Sequence, residues 1–227
     1  MLNNHDTNIR FYGRRKGRAL SAKKQRLVDN LLSELLIDEK KSLADNFCDK
    51  EYKEYHLEIG FGAGEHLASV ALANPDIAHI GAEVFINGVA ALIGRIEADN
   101  IKNIRLIHDD IRLYLADMPD NFFSHIYLLF PDPWPKRRHC HRRFISHENM
   151  QEVARILKKG GIFQVASDDM NYCRWALMHL LKNENFHWQV TKPRSCYQPF
   201  KDWHKTRYEE KALKLNKNCI YLEFLRI

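Results

Sequence analysis

The alternation of strand-like and helix-like segments constrains the fold of this chain more than any other feature. Buried strands are indicated by "YHLEIG", "IAHIGAEVF", "NIRLIHDD", "FSHIYLLF" and "IFQVAS". Helices are indicated between them, among them "SHENMQEVARILKKGG", with Ser146 as the N-cap and Gly160 and Gly161 as the stop signal. This succession predicts an α/β fold, with a mostly parallel sheet flanked by helices. Two late strands, "FHWQV" and "NCIYLEFLRI", are predicted to form an antiparallel C-terminal pair.

The beginning of the chain has a different character. Residues 1–20 are polar and basic, and they predict a mobile N-terminal arm. The next segment, "KKQRLVDNLLSELLI", has leucines at helical spacing and predicts an amphipathic helix. A chain of 227 residues with 45% hydrophobic content can bury one complete core. Residues 21–227 are therefore predicted to form a single domain.

The composition favours a soluble cytoplasmic protein with a polyanionic partner. The net charge is +6, and the basic residues are concentrated in a few places. The five cysteines are odd in number and form no C-x-x-C pair, so neither a disulfide framework nor a zinc ribbon is expected. No run approaches the roughly 18 to 20 apolar residues that a membrane helix needs, and the N-terminus lacks the apolar centre of a signal peptide.

A glycine-rich turn, "EIGFGAGEHL", joins the first strand to a helix. Gly60, Gly62 and Gly64 allow the backbone to approach a ligand closely at the carboxyl end of the sheet, where nucleotide cofactors bind. The dinucleotide fingerprint G-x-G-x-x-G would need a third glycine at position 65, but Glu65 stands there and would repel a pyrophosphate. The turn therefore indicates a nucleotide cofactor and disfavours NAD and FAD.

Carboxylates stand at the ends of three successive predicted strands, namely Glu58, Glu83 and Asp109. A carboxylate at the position of Glu83 can accept hydrogen bonds from both hydroxyls of a ribose. Each of the three could alternatively cap the helix that follows it. Together they favour a cofactor that combines adenosine with an ammonium and a sulfonium group. The prediction is S-adenosylmethionine, bound by a Rossmann-like class I methyltransferase.

The stretch "FPDPWPKRRHCHRRF" follows the fourth predicted strand. Its three prolines restrict the backbone, so Asp132 and Trp134 can be held in fixed directions. In the predicted sheet this segment lies across the cofactor from the glycine turn, which makes it an active-site candidate. Five basic side chains in it suit phosphate contacts: Lys136, Arg137, Arg138, Arg142 and Arg143.

The same stretch also allows plainer interpretations. The basic run could be a solvated surface, and Trp134 could cover the core beneath the loop or stack on a base. His139, Cys140 and His141 are adjacent in sequence, and adjacent residues do not form a tetrahedral metal site. No metal is therefore expected.

Six motifs resemble, in order, those of the bacterial tRNA (guanine-N7-)-methyltransferases: "EIGFGAGEHL", "GAEVF", "HDDI", "FPDPWPKRRHCHRRF", "VASDD" and "TRYEEKAL". The resemblance runs from the basic arm to the last strand, and PDPWPK is its most specific part. It implies methyl transfer from S-adenosylmethionine to N7 of the variable-loop guanine, position 46 in tRNA. The implied partner is tRNA, without membrane or DNA, and both monomer and homodimer stay open. Cys140, His141, the "SDD" triplet and Tyr208 depart from the commoner family pattern.

The resemblance also implies a role for individual residues. Asp132 would be catalytic, between cofactor and base. The cofactor would be bound by Glu58, Gly60, Gly62, Gly64, Glu83, Asp109 and Asp132. The substrate would be contacted by Lys136, Asp168, Thr206, Arg207, Tyr208 and Glu209. An alternative places Asp168 and Glu209 in surface salt bridges with Arg207 or Lys211.

The implied chemistry needs few catalytic groups. Guanine N7 carries an unprotonated lone pair, so its methylation requires no general base and no nucleophilic side chain. Three other interpretations stay open on the sequence. They are a methyltransferase for an exocyclic amine, a nicotinamide-dependent oxidoreductase, and an RNA-binding protein that has the fold without the activity.

Overall fold

The structure, a computed structural model, describes residues 10–47, 50–190, 192, 194–201 and 203–227. The chain divides into two compact units, one that ends at Asp117 and one that runs from Met118 to Ile227. Part of the predicted arm, residues 1–9, lies outside the described residues. The prediction of a single domain from residue 21 stays a prediction.

Among the described residues, the first unit has three parallel strands and three α-helices. In chain order they are α1 (Ala22–Leu35), β1 (Glu54–Ile59), α2 (Glu65–Ala73), β2 (Ile77–Ala82), α3 (Ile86–Asp99) and β3 (Ile104–Ile107). The strands lie in the order β3-β2-β1, and Ile59, Ala82 and Ile107 stand side by side at their carboxyl ends. The residues that follow the three strands therefore emerge at one edge of the sheet.

In the part of the second unit that the structure describes there are four strands and three α-helices. In chain order they are β4 (Phe123–Leu129), α4 (His147–Ile156), β5 (Leu157–Ser167), α5 (Met170–Leu180), β6 (Phe186–Trp188), α6 (Arg207–Lys214) and β7 (Ile220–Arg226). The strands lie in the order β4-β5-β7-β6. β4 and β5 are parallel, whereas β7 is antiparallel to both β5 and β6. A short 3-10 helix, Arg137–Arg142, follows β4.

The predicted α/β class, with its mostly parallel strands and its antiparallel C-terminal pair, is confirmed. Ser146 caps α4 as predicted, because its side chain accepts a hydrogen bond from the Asn149 amide at 3.2 Å. The predicted stop at Gly160 and Gly161 is wrong. α4 ends at Ile156, and both glycines lie inside β5, where the pairing with β4 is irregular. The left-handed φ of 77° at Gly160 suits this irregularity.

The segment that precedes α1 makes hydrogen bonds with the start of α3. The Ile86 amide donates to the Arg15 carbonyl at 3.1 Å, and the Gly17 amide donates to Asn87 Oδ1 at 2.8 Å. Asn87 Nδ2 donates in return to the Arg18 carbonyl at 2.7 Å. The mobility predicted for residues 1–20 stays a prediction. Among the helices of the described residues, none has the length and hydropathy to cross a membrane.

Candidate active site

The glycine-rich turn between β1 and α2 leaves open space above Gly60. Gly60 has a φ of 71°, a conformation that side chains with a Cβ rarely adopt, and its amide donates to the Ala82 carbonyl at 2.8 Å. A Cβ built on Gly60 would meet no atom within 4 Å. A ligand can therefore approach the backbone of Gly60 directly, and cofactor binding by the turn stays a prediction.

Glu83 is fixed beside this turn by two backbone amides. Its Oε2 accepts a hydrogen bond from the Gly62 amide at 2.8 Å, and its Oε1 accepts one from the Phe85 amide at 2.9 Å. The side chain is only half-buried. A carboxylate has about four lone-pair sites, so it can accept hydrogen bonds from more donors than these two amides. Glu83 can thus receive the hydroxyl groups of a ribose while it holds the turn in place.

Gly88 lets α3 approach the turn closely. A Cβ at this position would stand 2.1 Å from the Gly62 carbonyl oxygen, a distance far below van der Waals contact. No rotamer change can relieve this overlap, because the opposing atom belongs to the backbone. The turn and the start of α3 therefore depend on glycine here.

Replacement of Gly88 by alanine is expected to displace the turn and lower the free energy of unfolding by about 1 to 3 kcal/mol, the usual range for overpacking. Urea unfolding of the purified variant measures this loss. Gly94 provides a matched control on the same helix, because a Cβ added there would come no closer than 3.8 Å to Leu27. Gly94→Ala should not destabilise the protein, and equal losses in the two variants would contradict the steric argument.

Glu58 lies beneath the turn and is buried, at 3% exposure. One of its carboxylate oxygens is 2.8 Å from Nδ1 of His66, a buried residue in the first turn of α2. The pair connects the end of β1 to the helix that follows the glycines. Direct contact between Glu58 and a cofactor stays a prediction.

Asp109 stands at the same edge, just beyond β3, and is partly exposed. Its Oδ1 accepts a hydrogen bond from the Asp110 amide at 2.8 Å and lies 3.1 Å from Nη1 of Arg15. Asp110 is buried and holds the Arg112 guanidinium, with Nε at 3.0 Å from its Oδ1. Of these two neighbouring carboxylates, Asp109 is partly exposed and paired with Arg15, whereas Asp110 is buried and paired with Arg112.

In the second unit, β4 leads into a strained segment that we call the proline loop, residues 130–136. Phe130 and Trp134 have φ values of 50° and 42°, in the left-handed region that costs roughly 1 to 2 kcal/mol for a residue with a side chain. The Phe130 amide donates to the Ala166 carbonyl of β5 at 2.7 Å. Asp132 is exposed between the two strained residues. The Asp132 carboxylate is therefore carried by a backbone conformation that is unfavourable unless contacts with the rest of the protein stabilise it.

The basic residues after the proline loop are not equivalent. Lys136, Arg137 and Arg138 are exposed, as expected for phosphate contacts. Arg143 is buried, and its guanidinium donates to the Pro133 and Trp134 carbonyls, so the predicted phosphate contact is wrong for this residue. Burial and the positive charges of neighbouring arginines lower the pKa of His139, which keeps its imidazole mainly neutral at pH 7.

Asp168 lies just beyond β5, at the edge from which the proline loop emerges. Its Oδ2 accepts a hydrogen bond from Nζ of Lys217 at 2.7 Å, and this contact raises the pKa of Lys217. Asp168 therefore forms a salt bridge, as the alternative interpretation stated, but its partner is Lys217 and not Arg207 or Lys211. A substrate group that binds Asp168 must share the carboxylate with this lysine or displace it.

Glu209, at the start of α6, is buried at 2% exposure. Its Oε2 accepts a hydrogen bond from Nε1 of Trp203, and its Oε1 accepts one from the Tyr221 hydroxyl, each at 2.6 Å. Thr206 caps the helix by accepting a hydrogen bond from the Glu209 amide at 3.2 Å. Burial and the bond to Glu209 raise the pKa of Tyr221, which therefore stays protonated as a donor. Arg207 and Tyr208, between Thr206 and Glu209, are exposed.

The sequence comparisons with known proteins agree on one family. Residues 52–222 match the family Methyltransf_4, described as "Putative methyltransferase". The chain is 42% identical to a tRNA (guanine-N(7)-)-methyltransferase of Rhodospirillum rubrum, over 96% of this chain and 88% of the relative. It is also 42% identical to the enzyme of that name from Zymomonas mobilis, over 96% and 94% of the two chains. This chain belongs to the bacterial tRNA (guanine-N7-)-methyltransferase family.

The fold agrees with this family. A solved structure titled as an antibiotic-related methyltransferase superposes with a TM-score of 0.61 at 14% identity, covering 87% of this chain and 99% of that one. The predicted fold of a class I methyltransferase is thereby confirmed. In the described part of the chain, no group of His, Cys, Asp and Glu is arranged to hold a metal ion.

Several residues that contact the predicted site residues were not identified from the sequence. They are His66 beneath the glycine turn, Arg15 at Asp109, Lys217 at Asp168, and Trp203 and Tyr221 around Glu209. Arg15 and Lys217 act through contacts that are distant in sequence. His66 and Trp203 stand closer to their partners along the chain, eight residues from Glu58 and six from Glu209, and so carried a local signal.

Proposed function

We propose that this chain transfers a methyl group from S-adenosylmethionine to N7 of a guanine in tRNA, the guanine of the variable loop. The observation that carries the proposal is the 42% identity to relatives named for this reaction, over 96% of the chain. The geometry of the two units supports it. The proposed location is the cytoplasm.

The first unit offers groups that fit S-adenosylmethionine. The open space above Gly60 admits a ligand against the backbone, and the half-buried Glu83 can accept hydrogen bonds from the ribose. Asp109 is available to the adenine once it shares or releases Arg15. When bound, the cofactor supplies the methyl group on its sulfonium. Glu58 is proposed to act from beneath, through its contact with His66.

Asp132 is the proposed catalytic residue. Its exposed carboxylate can accept hydrogen bonds from a guanine and also favour the positive charge that develops on the purine ring as N7 is methylated. No proton has to be removed from N7, so the reaction depends mainly on position. Alignment of reacting groups is worth roughly 7 to 11 kcal/mol in well-aligned systems.

The remaining substrate contacts are proposed for exposed side chains of the second unit. Lys136, Arg137 and Arg138 suit phosphates, and Arg207 and Tyr208 project from the start of α6. Asp168 can contact the base when the ion pair between its carboxylate and Lys217 opens. Thr206 and Glu209 are buried, and we assign them to the support of α6. A guanine engaged in folded tRNA must first be exposed, at a cost of a few kcal/mol.

The test incubates the purified protein with unmodified tRNA and methyl-labelled S-adenosylmethionine, then digests the RNA and identifies the labelled nucleoside. We expect 7-methylguanosine as the labelled product. Label in an N-methylated exocyclic amine would contradict N7 as the acceptor. Tight tRNA binding without any label would favour a non-catalytic RNA-binding protein. A rise in melting temperature with NAD but not with S-adenosylmethionine would favour an oxidoreductase.

A further inference from the structure

Arg143 differs from every other basic residue near the proline loop because it is buried. In the described ranges of the chain it is the only arginine or lysine among the buried residues, at 5% exposure. A buried positive charge is costly unless hydrogen bonds and polarisable groups compensate it. The surroundings of Arg143 therefore indicate what the side chain does.

The guanidinium of Arg143 donates hydrogen bonds to two successive carbonyls of the proline loop. Its Nε is 2.8 Å from the Pro133 oxygen, and its Nη2 is 3.2 Å from the Trp134 oxygen. These carbonyls belong to the two residues that follow Asp132. The planar fork of the guanidinium can reach both at once, whereas a lysine ammonium is a single point charge.

Besides the two carbonyls, the guanidinium contacts two aromatic rings of α5. Its Cζ lies 4.9 Å from the centre of the Trp175 ring and 5.8 Å from that of Tyr172. Trp175 is fixed by a hydrogen bond from its Nε1 to the Ile145 carbonyl at 2.6 Å, and Tyr172 is fully buried. The guanidinium thus connects the rigid surface of α5 to the backbone of the proline loop.

The proline loop needs such a support. Trp134, whose carbonyl Arg143 binds, has the left-handed φ of 42°, and Phe130 at the other end has a φ of 50°. Residues in this region persist when the surroundings over-determine their conformation. The prolines on both sides of Asp132 limit the backbone but have no N–H to donate, so they cannot by themselves tie it to the core.

From these contacts we infer that Arg143 is a positioning residue, which holds the proline loop and thereby aims the Asp132 carboxylate. This inference rests on the proposed function, in which Asp132 is catalytic. Arg143 does not contact the substrate, because its side chain is buried and Nε and Nη2 are committed to the loop. Its effect on the reaction passes through the geometry of Asp132.

The test compares Arg143→Lys with the wild-type protein by hydrogen exchange of residues 130–136 and by steady-state kinetics. Lysine keeps the charge but cannot donate to both carbonyls while it stacks on Trp175. We expect faster exchange in the proline loop and a kcat about 100-fold lower, the scale of a displacement of about 1 Å in an active site. The affinities for tRNA and for S-adenosylmethionine, measured by titration, should stay unchanged.

Arg155→Gln is the matched control. Arg155 also combines a backbone carbonyl, that of Met118 at 2.7 Å, with carboxylate partners, but it lies on α4 with no bond to the proline loop among its described partners. Its loss should lower the melting temperature while loop exchange and kcat stay at wild-type values. Trp175→Leu, which removes the stacking surface and leaves Arg143 in place, should reproduce the faster loop exchange and the lower kcat.

Each remaining outcome overturns the inference. Unchanged loop exchange in both Arg143→Lys and Trp175→Leu would show that the contact does not order the loop. A raised KM for tRNA with an unchanged kcat would show a phosphate contact. If the wild-type protein methylates no tRNA, the proposed function fails, whereas the exchange measurement still reports on the loop alone. The two failures are therefore distinguishable.

Discussion

Replacement of Asp132 by alanine is expected to lower the rate of tRNA methylation by about 100- to 1,000-fold, the scale for loss of one electrostatic group at a reacting centre. The reason is the positive charge that develops on guanine as N7 accepts the methyl group. Because Asp132 is exposed, the melting temperature should stay within the range of ordinary surface substitutions. Single-turnover kinetics with labelled cofactor measures the rate.

Two further variants separate the possible causes of this loss. Asp132→Asn keeps the size and one carbonyl acceptor but removes the charge, so a rate close to that of alanine assigns the effect to charge. Glu184→Ala removes another exposed carboxylate of the same unit and should leave the rate unchanged. A full rate in Asp132→Ala, with 7-methylguanosine still formed, would remove Asp132 from the catalytic role.

The fold could be predicted largely from the sequence because the strands and helices have strong local patterns. The helix predicted after the glycine-rich turn is α2, and the buried run "FSHIYLLF" contains all of β4. The end of α4 was predicted wrongly because glycines such as Gly160 and Gly161 commonly end helices. In the structure the helix ends earlier, at Ile156, because the chain pairs with β4 from the next residue. Leu157 already pairs with Phe123 of β4, so β5 begins three residues before the first glycine.

For the site, the sequence predicted which residues lie at the sheet edge but not which side chains they contact. The turn glycines, Glu83 and Asp109 come together because parallel strands end at one edge of the sheet. This could be predicted, because each of these residues follows or ends a predicted strand in the sequence. The side-chain partners were not predictable in the same way. Nothing in "RRHCHRRF" separates the buried Arg143 from the exposed Arg137, since burial depends on Trp175, more than thirty residues away in sequence.

Replacement of Glu209 by alanine is expected to lower the free energy of unfolding by about 2 to 6 kcal/mol. The carboxylate accepts hydrogen bonds from the Trp203 indole and the Tyr221 hydroxyl, and its loss leaves both donors without their partner in a mostly buried cluster. Each stranded donor costs about 1 to 3 kcal/mol. Urea unfolding measures the loss. Glu210→Ala, at the exposed neighbouring position, is the matched control and should change stability by no more than about 0.5 kcal/mol.

The same variant decides between two roles for Glu209. If Glu209 supports α6 from inside, then Tyr221→Phe and Trp203→Phe should each reproduce part of the stability loss, because each removes one of the two bonds. The double variant Glu209→Ala/Tyr221→Phe should then lose less than the sum of the single losses, since no hydroxyl is left stranded. If Glu209 instead binds the guanine, its replacement should lower kcat at unchanged stability, while Tyr221→Phe leaves the reaction intact. The buried hydrogen bonds of both carboxylate oxygens favour the first result.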